Sequence, residues 1–278
     1  MGQTQTIVSA QWLKENLDNP NVIIIDCRFR LSDPEWGYQQ YTNSHITNSY
    51  YLHLNQDLAS PVQLHGGRHP LPDTHVLGDK FAQMGIIHNE TTIVAYDDSR
   101  FAFASRLWWL LQYLGHDRVF LLDGGWQEWS NLNYPVTSEI PKSVAYGSFV
   151  PQPRLDWVVD IDYVRQCQSS SDCVIVDARS LDRYLGKVEP IDPIAGSIPT
   201  AKNVFWQDMT TEQGKLKPRE ELTQIWQSYK NYQEIIVYCG SGVTACVDIL
   251  ALRSIGVNQC KLYVGAWSDW CSYPENFK

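Results

Sequence analysis

The chain has 278 residues, of which 44% are hydrophobic and 19% charged. That is the balance of a globular protein with room for one large domain or two ordinary ones. The net charge is −9 and no basic stripe stands out, which argues against nucleic-acid partners and requires local positive charge for any anionic substrate.

The amino-terminal hexapeptide, residues 1–6, lacks the charged and apolar regions of a signal peptide. No apolar run approaches the roughly 18 residues of a membrane span, so no membrane association is expected. Ser9 is placed to cap a helix over residues 10–17, and a β-branched strand follows at Val22–Asp26. A second strand, Thr92–Tyr96, precedes a long apolar helix over residues 102–113. A third strand, Val119–Leu122, leads into a helix from Trp126. Residues 137–156 are polar and carry Pro141, Pro151 and Pro153, the composition of a linker.

Beyond the linker the pattern returns. Val22-Ile23-Ile24-Ile25-Asp26-Cys27-Arg28 is echoed by Cys173-Val174-Ile175-Val176-Asp177-Ala178-Arg179. Thr92-Ile93-Val94-Ala95-Tyr96 is echoed by Glu234-Ile235-Ile236-Val237-Tyr238. Ser44 and Asp123 begin two further segments that recur, in the same order, at Gly196 and Val264. A repeat of this length indicates two homologous domains, 1–136 and 157–278, joined by the linker 137–156. Unbroken apolar strands alternating with helices predict an α/β fold. Each domain is a mostly parallel sheet with helices on both faces.

In such sheets function gathers at the carboxyl ends of the strands. Cys239 sits at one, opening the turn Cys239-Gly240-Ser241-Gly242-Val243-Thr244 before a helical stretch. Inward-pointing N–H groups in such a turn, and the helix start behind it, favour the sulfur anion, which is the nucleophile. Aligning Tyr96 with Tyr238 sets Asp97 opposite Cys239, so the first domain is expected to be catalytically silent. The chain has 7 cysteines, without a CxxC pair. They are expected to be reduced, as in the cytoplasm, with neither a disulfide framework nor a metal site. Cys27, Cys167, Cys173, Cys246, Cys260 and Cys271 read as structural. Asp26 with Arg28, and Asp177 with Arg179, read as ion pairs that pin strand ends.

These segments together resemble the tandem-domain rhodanese family of sulfurtransferases over nearly the whole chain. The resemblance implies that Cys239 takes a sulfane sulfur, becomes a persulfide and passes the sulfur to a thiophilic acceptor. Thiosulfate-using relatives usually carry cations directly after the cysteine. Here Gly240 and Ser241 are neutral, which resembles the enzymes that use 3-mercaptopyruvate. The resemblance assigns catalysis to Cys239 and Ser241. It assigns donor binding to Arg183, Gly240, Gly242, Val243, Thr244 and His69.

A second family arginine has no counterpart between Glu189 and Ala195. His69 and Ser241 match two members of a Ser–His–Asp relay whose acid position holds Asn55. Arg68 is a further source of charge for the cleft. No cofactor is implied, because the cysteine itself carries the sulfur. The acceptor implied is a thiol or cyanide, and a thioredoxin-like protein is one candidate. The alternatives are thiosulfate:cyanide transfer and a noncatalytic regulatory module. Phosphatase chemistry is disfavoured, because the Cys239 loop holds no arginine to clamp a phosphate.

Overall fold

The computed structural model describes residues 6–141 and 145–277. Most of the amino-terminal hexapeptide and three residues of the linker lie outside these ranges. The first sheet contains β1 (Ile7–Val8), β2 (Val22–Asp26), β3 (Ser49–Tyr51), β4 (Thr92–Tyr96) and β5 (Val119–Leu122), in the spatial order β1-β5-β4-β2-β3. The second contains β6 (Val158–Val159), β7 (Cys173–Asp177), β8 (Lys202–Asn203), β9 (Glu234–Tyr238) and β10 (Cys260–Tyr263), in the order β6-β10-β9-β7-β8. All pairings within both sheets are parallel. The two orders are the same topology, so the repeat read in the sequence is a repeat of fold.

Backbone hydrogen bonds place the repeats in register. Cys27 N donates to Tyr96 O at 2.8 Å, and Ala178 N donates to Tyr238 O at 2.8 Å. Trp126 N donates to Asp97 O at 2.9 Å, and Trp267 N donates to Cys239 O at 3.0 Å. Asp97 and Cys239 therefore occupy equivalent places. The two Asp-x-Arg strand ends are also equivalent. Arg28 pairs with Asp26 at 2.6 Å and Arg179 with Asp177 at 2.7 Å, all four buried. Each guanidinium also lies over an indole, 4.1 Å from the Trp126 ring and 4.8 Å from the Trp267 ring.

The helices Ala104–Tyr113 and Ala245–Ser254 follow β4 and β9 and pack against each other. Nearly every side chain on them is buried, which explains why both stretches are largely apolar. Their contact joins the two domain cores. The linker is laid on the first domain rather than held free. Phe149 is buried against Phe81, and Gln152 N and Arg154 N donate to Leu114 O and Tyr113 O.

One expectation fails. Cys167 and Cys173 form a disulfide, with Cα atoms 5.6 Å apart. The helix Ile161–Cys167 ends and β7 begins with these two residues, so the short turn between the elements brings the thiols together. The other five cysteines are free and buried.

Candidate active site

Cys239 lies at the carboxyl end of β9 and is 2% exposed. Among the described residues, the N–H groups of Gly240 to Ala245 donate to no backbone carbonyl. Gly242 makes the turn possible. Its φ is +74°, and a Cβ there would lie 2.5 Å from Val264 O.

The first domain shows what this turn holds. The Asp97 carboxylate folds back into the equivalent turn and accepts from Ser99 N, Phe101 N, Phe103 N and Ala104 N at 2.8 to 3.1 Å. Burial pushes the Asp97 carboxyl up to about 6, against the pull of those N–H groups. In that turn the chain supplies its own anion. In the second domain the cysteine leaves the place open.

A cleft of about 720 Å³ opens in front of Cys239 between the two domains. Gly240, Ser241, Val243, Thr244 and Arg183 line it together with Arg68 from the first domain. Gly242 does not line it; its carbonyl points back to Arg106. Arg183 extends from the short helix Leu181–Tyr184. It donates to Glu189 at 2.7 Å and to Asp192 at 3.1 Å.

His69 reaches the same place from the first domain. Its Nδ1 is 2.8 Å from Ser241 Oγ and its Nε2 is 3.1 Å from Asn55 Oδ1. The Asn55 oxygen can only accept, so the imidazole carries its proton on Nε2 and Nδ1 accepts from the Ser241 hydroxyl. Burial pushes the His69 pKa down to about 3, assisted by the charges of Arg106 and Arg68. The Ser–His–Asn chain expected from the sequence is thus assembled around a neutral histidine.

The segment carrying Arg68 and His69 is docked on the second domain. Gly66 N donates to Asp269 Oδ1 at 2.7 Å and Arg68 N to Ser268 Oγ at 3.1 Å. Gly67 has a φ of +80°, and a Cβ on it would lie 2.3 Å from Gly265 O, so only glycine allows this approach.

Sequence reasoning passed over Arg106. It is fully buried in the helix Ala104–Tyr113 and donates to Gly242 O and His69 O, each at 3.1 Å. The visible signal was an arginine inside an otherwise apolar helix. Cys246, the second residue of the helix Ala245–Ser254, is fully buried, and burial pushes its thiol up to about 12. It is a core residue.

The rhodanese-like domain model matches residues 9–132 and 160–273. The chain belongs to the rhodanese family. A Pseudomonas aeruginosa protein named "Probable 3-mercaptopyruvate sulfurtransferase" is 37% identical over 274 residues, covering 97% of this chain and 96% of that protein. The Escherichia coli 3-mercaptopyruvate sulfurtransferase is 33% identical over 278 residues, covering 96% and 95%. The solved structure of the Escherichia coli 3-mercaptopyruvate sulfotransferase matches with a TM-score of 0.83 at 31% identity, covering 95% of this chain and 100% of that one. The mouse thiosulfate sulfurtransferase is also similar, at 29% identity over 279 residues. The two sheets described above are accordingly two rhodanese domains. Among the described residues no helix is long and apolar enough to cross a membrane.

Proposed function

We propose that this protein is a sulfurtransferase that takes a sulfane sulfur from 3-mercaptopyruvate as a persulfide on Cys239 and hands it to a thiophilic acceptor. The observation that carries the reading is the pair of equivalent turns. Four N–H groups hold a carboxylate at Asp97, and the corresponding turn at Cys239 offers its N–H groups to whatever anion the sulfur becomes. Similarity to enzymes named for 3-mercaptopyruvate supports the same donor. In this reading residues 1–136 are a silent domain that builds one wall of the cleft, 137–156 the linker, and 157–278 the catalytic domain.

The Cys239 thiolate attacks the donor's sulfur and forms an S–S bond. The donor's C–S bond breaks with its electron pair moving to carbon, so pyruvate leaves as its enolate. The enolate carbon takes up the proton that the donor sulfur carried. The persulfide remains as an anion in the N–H cradle. Neutral His69 holds Ser241 by accepting its O–H, which keeps the serine oxygen's lone pairs free for the donor. Arg183 binds the donor's carboxylate, a task for which a guanidinium is suited. Gly240, Gly242, Val243 and Thr244 supply the backbone of the cradle. An acceptor then attacks the outer sulfur, and the S–S bond breaks with its electrons returning to Cys239. A small thiol, cyanide or a thioredoxin-like protein can fill that role in the cytoplasm, where we place the protein.

Intact mass measurement after incubation with 3-mercaptopyruvate tests the reading. The expected result is a gain of one sulfur atom, mapped to Cys239. No gain from either 3-mercaptopyruvate or thiosulfate would refute it. A gain from thiosulfate alone would move the assignment to thiosulfate:cyanide transfer.

A further inference from the structure

Residues 58–67, the stretch that leads to Arg68, contain no acid, lysine or arginine. Ser60 N donates to Pro70 O at 3.2 Å, which closes the stretch into a loop, and Gly66 and Arg68 pin its far end to the second domain. This loop walls a second chamber of about 730 Å³ beside the cleft. Phe29, Leu31, Ser32, Arg68 and Ile191 line both spaces, which meet along them. Cys239 and Ser241 line the cleft and not the chamber, whereas Asn55 and His69 line the chamber and not the cleft. The Ser241–His69 hydrogen bond of 2.8 Å therefore runs from one space to the other.

The two spaces differ in charge. Arg30, Arg100, Arg179 and Arg183 line the cleft in addition to Arg68. Among the described residues that line the chamber, Arg68 is the one charged side chain, since His69 is neutral. Asp192 pairs with Arg68 and holds it where the two spaces meet. The rest of the chamber wall is mainly apolar, with Ala59, Pro61 and Val62 from the loop facing Pro190 and Ile191 from the second domain. A space of this size, with apolar walls and few polar groups, suits a small organic molecule. A charged substituent placed in it would lose water against apolar walls and gain no partner there. The reaction proposed above has one reactant left to seat once pyruvate has gone, the acceptor.

We infer that this chamber binds the acceptor, an uncharged alkyl thiol whose hydrocarbon chain lies along the loop 58–67 while its sulfur passes Arg68 to the persulfide on Cys239. The thiol's proton moves to the outer sulfur of the persulfide as a new S–S bond forms to that sulfur. The old S–S bond breaks with its electron pair returning to Cys239, so the product is an alkyl perthiol. The inference rests on the sulfurtransferase reading above and adds to it the class of acceptor and the place that selects it.

The test starts from protein already loaded with sulfur by 3-mercaptopyruvate and freed of donor. Loss of the sulfur is followed by intact mass with ethane-, propane- and butane-1-thiol, which have nearly the same thiol acidity and differ only in length. Each added methylene should raise the second-order rate about threefold to fourfold, the effect of burying it in an apolar site. 3-Mercaptopropionate, which carries a carboxylate on a chain of similar length, should react more slowly than butane-1-thiol. Ser60→Phe and Val62→Trp narrow the chamber from positions that do not line the cleft. Both should flatten the dependence on length to less than about twofold per methylene, while sulfur uptake from 3-mercaptopyruvate and sulfur loss to cyanide keep their wild-type rates. A wild-type rate that does not rise with chain length overturns the inference, and so does a full dependence on length in both variants. An equal fall toward cyanide and butane-1-thiol also overturns it, because the loop would then only shape the cleft. Wild-type protein that gains no sulfur from 3-mercaptopyruvate would instead bring down the underlying reading and this inference with it.

Discussion

The guanidinium of Arg106 crosses from the first domain and donates to the carbonyl of Gly242, in the turn that starts at Cys239, at 3.1 Å. The same group donates to His69 O at 3.1 Å. One fully buried side chain thereby fixes the backbone on both sides of the Ser241–His69 hydrogen bond. Replacing it with leucine leaves these two carbonyls unsatisfied in the interior. The expected cost is about 2–4 kcal/mol, read as a lower urea midpoint. Sulfur uptake by Cys239 should slow in the fraction that folds. A leucine variant with wild-type stability would contradict this account of the domain junction.

The neutral His69 makes a pH prediction. Its folded pKa of about 3 lies below its ordinary 6.5, so between those values the unfolded chain binds a proton that the folded chain does not. Stability from this group is full above about pH 6.5 and is lost as pH falls toward 3, with a limiting slope of about 1.4 kcal/mol per pH unit. His69→Gln lacks that slope, so the gap in stability between wild type and variant should shift in the variant's favour as the solution is acidified. In Asn55→Asp a carboxylate faces Nε2 and favours the imidazolium, which raises the His69 pKa. NMR titration of the ring should then show ionisation at higher pH than in the wild type. A wild-type His69 that titrates near 6.5 would refute the assignment.

Asp97 has a role that differs from that of its counterpart. Its carboxylate is the acceptor for four backbone N–H groups. Asp97→Ala removes that acceptor and should cost about 2–4 kcal/mol of stability. Cys239 has its own turn, so sulfur uptake per folded molecule should persist. Thermal unfolding and a sulfur-uptake assay on the same sample check both halves.

The comparison of Asp97 with Cys239 also shows what the sequence could reveal. The runs at Val22–Asp26, Thr92–Tyr96 and Val119–Leu122 are strands with those bounds, because β-branched residues buried on both faces leave little ambiguity. The helix expected to begin at residue 102 begins at Ala104 instead. Asp97 takes the N–H groups of Phe101, Phe103 and Ala104, and Arg100 and Phe101 sit at φ of 58° and 70°. That local capture by a side chain leaves no periodic trace. The place of Cys239 at a strand end was legible from motif and repeat, whereas Ser241, Arg183 and His69 were named through the family resemblance, and the fold brings all three to the turn that starts at Cys239. Arg68 with Asp192, and Arg106, were legible only faintly or not at all, since their roles depend on docking one domain against the other. The Cys167–Cys173 bridge was hidden for a similar reason. Its spacing fits no metal or redox motif, and only the meeting of a helix end with a strand start joins the two residues.

The central claim is that Cys239 itself accepts the sulfur, and a single-turnover experiment tests it most directly. Mixed with 3-mercaptopyruvate in slight excess over protein and no added acceptor, the protein should release one pyruvate per chain in a burst that is fast compared with any later release. Cys239→Ala should release none. A burst of the same size from Cys239→Ala would contradict the account.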